Sequence, residues 1–108
     1  MWKIEFLPEA VSDLLSIDKS VRAQVIKGIN KVVKNPVGKF KGGYGEPLSN
    51  KKGQDLSGLY KIKYRNIEIR VVYSAKEHNG IMTIIIVGAR ADNEVYDEAY
   101  RRRTKHDI

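Results

Sequence analysis

The stretch YKIKYRNIEIRVVY, residues 60–73, constrains the fold more than any other part of the chain. Apolar and polar residues alternate throughout, the period of a half-buried strand. The phase slips at Arg65-Asn66: apolar side chains fall on even numbers before it and on odd numbers after it. Two antiparallel strands joined at that point explain the slip. If the turn is centred on Arg65-Asn66, Tyr60, Ile62 and Tyr64 share an apolar face with Val71, Ile69 and Ile67. On the other face Lys61 then sits opposite Arg70, and Lys63 opposite Glu68. Arg-Asn is a poor match to the usual two-residue hairpin signal, so the parity of the turn is firmer than its type.

The rest of the chain supplies what such a hairpin needs to bury its apolar face. Trp2, Ile4 and Phe6 alternate with Lys3 and Glu5 as a short strand, and Pro8 suits the first position of a helix. Val11, Leu14 and Leu15 recur at helical spacing before IDKS offers Asp18 or Ser20 as a new cap. The stripe Val21, Val25, Ile29, Val32 and Val33 predicts a second helix that ends before Asn35-Pro36, giving a helical hairpin. Residues 36–58, rich in glycine, read as a long loop, and loops of that length in a compact domain are commonly functional or mobile. Strands are expected at 59–65, 66–74 and, after the polar turn KEHNG, at IMTIIIV, whose unbroken apolar run suits a central strand covered on both faces. DNEVYDEAYRRR reads as a helix, acidic at its start and basic at its end as its dipole prefers, and TKHDI as a frayed tail. Residues 1–108 thus predict a single α+β domain: a small, mostly antiparallel sheet with an N-terminal helical hairpin and a short C-terminal helix, the helices on one side.

Charge narrows the function. Twenty Lys+Arg against 13 Asp+Glu give a net charge of +7, which favours a polyanionic partner, nucleic acid first. The absence of cysteine excludes disulfides, thiolate nucleophiles and Cys-based zinc sites, and fits a reducing, cytoplasmic setting. MWKIEFLPEA lacks the pattern of a secretory signal, and no run predicts a membrane span. His78 lies in the KEHNG turn and His106 in the tail, which disfavours a paired-histidine nuclease. The acidic residues show no metal-ligand spacing. The hairpin's charged face is therefore the candidate site. Like charges directly opposite on a sheet are destabilising, so Lys61, Lys63 and Arg70 together want an anion. Arg90, after the apolar strand at VGAR, and Tyr96, one turn into the last helix, are placed to reach that face if the third strand lies beside the second.

From YKIKYR through RVVY to VGAR and EVYDEAYRR, the chain resembles the RelE/ParE superfamily, specifically its RelE-type messenger-RNA-cleaving toxins from toxin-antitoxin pairs. Lys61, Lys63, Arg70, Arg90 and Tyr96 match the family's five positions at the expected spacing. The family's further loop arginine has no clear equivalent; Ser49 or Ser57 stands near its place. The resemblance implies a ribosome-dependent endoribonuclease without metal or other cofactor, its partners a cognate antitoxin, the ribosome and mRNA. It implies attack of an RNA 2′-hydroxyl on the adjacent phosphate in the ribosomal A site. Lys63 would serve as base, Lys61 and Arg70 would hold the phosphate, and Arg90 would stabilise the leaving group. Crowded cations lower a lysine pKa, which favours the base role. Arginine is a poor proton donor, so electrostatic stabilisation suits Arg90 better than acid catalysis. Tyr96 would stack on a base or orient the phosphate. The alternatives are a ParE-like gyrase poison that cuts no RNA and an inactive RNA-binding homologue.

Overall fold

The computed structural model describes residues 1–50, 53–89 and 91–108. Five strands, β1 (Lys3–Phe6), β2 (Glu46–Pro47), β3 (Leu59–Lys63), β4 (Arg70–Lys76) and β5 (Ile81–Gly88), form one sheet in the order β1-β5-β4-β3-β2. Among these strands β1 and β5 pair in parallel and the other three pairings are antiparallel. The helices are α1 (Pro8–Ser16), α2 (Lys19–Val32) and α3 (Asp92–His106). Pro8 opens α1, and Asp18 caps α2 by accepting a hydrogen bond from the Ser20 backbone N–H. The α+β class expected from the sequence is thus the class observed.

The central hairpin keeps its predicted faces but not its predicted pairing. Lys63 lies opposite Arg70, Lys61 opposite Val72 and Tyr60 opposite Tyr73. Partner numbers total 133 rather than the 131 of the tight-turn reading, because residues 64–69 form a wider connection and β4 starts at Arg70. The register has moved by two residues, and since side chains alternate with a period of two, every residue stays on its expected face. Lys63 therefore faces Arg70, not Glu68.

The helices cover both faces of the sheet, a correction to the one-sided arrangement. On one face, the Tyr64 hydroxyl donates to the Val25 carbonyl of α2 at 2.8 Å, and the buried Tyr73 hydroxyl donates to the Pro36 carbonyl at 2.8 Å. Burial raises both phenol pKa values. Val25, Ile29 and Val32 of α2 are buried there, while Val11 and Leu15 of α1, expected inward, are exposed. The other face carries α3, where a Cβ on Gly88 of β5 would meet a Val95 methyl at 2.6 Å. Glycine at 88 lets α3 sit directly on the strand. β5 is covered on both sides as expected, and a bulge opposite Val72/Tyr73 lets Ile84, Ile85 and Ile86 all be buried.

Two further readings change. The 36–58 segment contains a turn of 3-10 helix (Lys39–Lys41) and β2. The tail is helical to His106, whose ring nitrogen lies 2.9 Å from Glu9 of α1, with Lys105 3.0 Å from the same carboxylate. Beyond the reach of β1, the edge of β5 is closed by α1 and α3: Asp13 accepts from the Val87 N–H, and Arg102 donates to both Asp13 and the Ile85 carbonyl.

Candidate nucleic-acid cleavage site

Alternation on β3 places Lys61 and Lys63 on the α3 side of the sheet, and the first residue of β4 places Arg70 directly across from Lys63. β5 beside β4 then delivers the chain into α3, so that the first turns of this helix overhang the three cations. Lys61 Nζ lies 5.9 Å from the centre of the Tyr96 ring, within cation-π range. The structure thus brings Lys61, Lys63, Arg70 and Tyr96 to one surface. Arg90, the fifth residue of the set, lies outside the described residues.

The resident anion of this surface is Asp92. Its carboxylate accepts from Arg70 Nε at 2.5 Å and lies 3.5 Å from Lys63 Nζ. The Arg70 hydrogen bond, with the charges of Arg70 and Lys63, holds the Asp92 carboxyl below the usual carboxylate range despite partial desolvation. Asp92 also occupies the first turn of α3, where the helix dipole favours an acid. The charged face wants an anion and the helix start is acidic, and the fold joins the two. The available signal was the short spacing between Gly88, where the strand must end on the cations, and Asp92.

Tyr96 is half-buried, and its hydroxyl has no hydrogen-bond partner among the described residues. Burial, then the nearby Asp92 charge, raises its pKa. The hydroxyl itself is buried, so the Tyr96 ring rather than its hydroxyl stands beside Lys61, with Arg70 and Asp92 close by. A phosphodiester fits such a surface: it replaces Asp92 on Arg70 and Lys63 without leaving a cation unpaired.

No family model matches the chain. A curated RelE-like toxin protein of Escherichia coli is 26% identical over 101 residues, 94% of this chain and 96% of its own length. The E. coli mRNA interferase toxin RelE is 27% identical over 99 residues, 92% of this chain and 94% of its own. Among solved structures, a mutant of E. coli RelE in complex with an antitoxin RelBc peptide matches with a TM-score of 0.69 at 26% identity, covering 91% of this chain and 93% of the other. The chain is thus similar over nearly its whole length, in sequence and in fold, to RelE-type toxins.

The resemblance leaves the loop that precedes β3 without a clear equivalent of the family's loop arginine. Ser57, near the place of the missing loop arginine, turns inward on its own segment: its hydroxyl and backbone N–H both donate to Asp55. Ser49 is exposed. From α3, Arg103 donates to the Asp55 carbonyl of this loop at 3.0 Å. His106 is engaged with Glu9, and His78 is exposed in the β4–β5 turn.

Proposed function

We propose that this RelE-type chain is the toxin of a type II toxin-antitoxin pair and an endoribonuclease that cleaves mRNA in the ribosomal A site. The observation that carries this reading is the convergence of Lys61, Lys63, Arg70 and Tyr96 on one surface, with a carboxylate standing where a phosphate would bind. The relatives named as RelE toxins, one of them an mRNA interferase, support the same conclusion.

The reaction begins when the scissile phosphate displaces Asp92 from Arg70 and Lys63. Lys63, acting as general base, takes the proton of the RNA 2′-hydroxyl, and the oxygen attacks the adjacent phosphorus. A new O2′–P bond forms and the P–O5′ bond breaks, leaving a 2′,3′-cyclic phosphate and a 5′-oxyanion that takes a proton from water to become the 5′-hydroxyl. Lys61 and Arg70 stabilise the charge that develops on the non-bridging oxygens. Arg90 stabilises the leaving oxygen electrostatically. Tyr96 stacks on a base or orients the phosphate. No metal or other cofactor takes part in this scheme. The protein partner is an antitoxin that covers the basic face, and the setting is the cytoplasm.

The test is expression of wild type and a Lys63→Ala, Arg90→Ala double variant in growing cells, followed by mapping of mRNA ends. Codon-phased cuts that vanish in the variant are expected. Intact mRNA with damaged DNA would instead identify a gyrase poison, and neither effect an inactive homologue.

A further inference from the structure

The free edge of β3 opens a groove that leads away from the candidate site. β2 pairs only with Tyr60 and Lys61, so among the described residues no strand covers Ile62 and Lys63 on that side. A depression of about 510 Å³ there is lined by Lys31, Lys39, Tyr44, Lys61, Lys63 and Arg65, among others. It adjoins a second of about 360 Å³ that reaches Lys27, the two sharing Gly28, Lys31, Tyr64 and Arg65. The wall between them is fixed. A Cβ at position 28 would meet the Tyr64 ring at 2.5 Å, so glycine lets the ring pack against α2, and the Tyr64 hydroxyl is tied to Val25.

The lining is one-signed. Glu46 is its only carboxylate among the described residues, and Lys39 already pairs with it at 3.2 Å. Lys27, Lys31 and Arg65 are exposed and form no ion pair among the described residues. Tyr44 is 48% exposed, yet its backbone N–H is held by the Asn35 carbonyl at 2.9 Å, and Lys31 Nζ lies 5.6 Å from its ring centre. A cationic channel beside an anchored, exposed aromatic ring is the arrangement that binds single-stranded nucleic acid, by phosphate contacts and base stacking.

We propose that this groove holds the RNA strand flanking the scissile phosphate, with Lys27, Lys31 and Arg65 on backbone phosphates and Tyr44 beneath a base. This rests on the endoribonuclease reading, because Lys61 and Lys63 also line the groove, which continues round the β3 edge to the α2 side. It adds a specificity element: a substrate must extend beyond the cleaved bond to be held well.

The test uses the isolated full chain and two RNAs made uncleavable by a 2′-deoxy nucleotide at the reacting position, one of about a dozen nucleotides and one dinucleotide. A Lys27→Gln, Lys31→Gln, Arg65→Gln variant should bind the long RNA at least tenfold more weakly at low salt, with unchanged dinucleotide affinity and thermal melt. The slope of log affinity against log salt should become shallower by about 2, from roughly 0.7 per lost phosphate contact. Tyr44→Ala should weaken the long RNA by fivefold or more and leave binding of an oligoglutamate peptide unchanged. Equal affinity of wild type and the triple variant for the long RNA overturns the groove assignment while leaving the cleavage reading intact. Oligoglutamate binding tighter than RNA, with Tyr44→Ala inert, gives the groove to an acidic peptide and overturns it equally. Failure of wild type to bind either RNA, together with the absence of cuts in cells, overturns both.

Discussion

Replacing Asp92 with Asn should make the protein less stable and yet a better RNA binder. A hydrogen bond to a charged group contributes about 1.5–3 kcal/mol when shielded. The Arg70–Asp92 bond is only partly shielded, with side chains 25% and 39% exposed, which lowers it to about 1 kcal/mol. Lys63, 3.5 Å away and 46% exposed, adds a few tenths at most. Asparagine keeps the shape and a neutral acceptor, so roughly half of this is lost, about 0.5–1 kcal/mol. An incoming phosphate no longer has to break that interaction, and the same energy returns as about two- to fivefold tighter RNA binding. Urea unfolding and anisotropy titration with an uncleavable RNA measure the two quantities. The folded Asp92 pKa lies below the ordinary 3.8, so its contribution to stability is present above that value and is lost as pH falls through the lower folded value. The stability gap between wild type and variant should close over that acid range. Weaker RNA binding by Asp92→Asn would refute the competition argument and show that Asp92 instead holds Arg70 in its working position.

Gly88→Ala should cost about 1–3 kcal/mol, because the new methyl enters the Val95 contact, and it should lower cleavage by pushing Asp92 and Tyr96 off the cations; chemical unfolding and single-turnover cleavage check this. Tyr73→Phe removes the partner of the Pro36 carbonyl under the 36–58 segment and should cost about 1–3 kcal/mol by urea unfolding. Glu9, held at about 2 by a hydrogen bond with its own backbone N–H and by His106 and Lys105, should stabilise the docking of the α3 end above its ordinary 4.5 and lose that effect as pH falls toward 2. The melting-temperature difference between wild type and Glu9→Gln should therefore shrink across that interval.

The hairpin shows where sequence is sufficient. A period-two alternation determines which side of the sheet each residue occupies, so Lys61, Lys63 and Arg70 were assigned to one face correctly although their pairing was not. The class of each main element, a cap at Asp18 or Ser20 and the burial of β5 were legible for the same reason: they depend on neighbours within a few positions. What local pattern could not determine was the width of the 64–69 connection, which follows from the Tyr64 anchor to α2 and so from contacts 39 residues away in sequence. Nor could it show that α3 takes the face opposite α2, or that the tail is fastened to Glu9 across 97 positions. The same holds for the site. Five residues at family spacing, four of them cations, named the candidate set, but the carboxylate between Arg70 and Lys63 was visible only once β5 and Gly88 had brought the start of α3 over β4. Periodicity encodes the face on which a side chain points; long-range packing decides what it meets there.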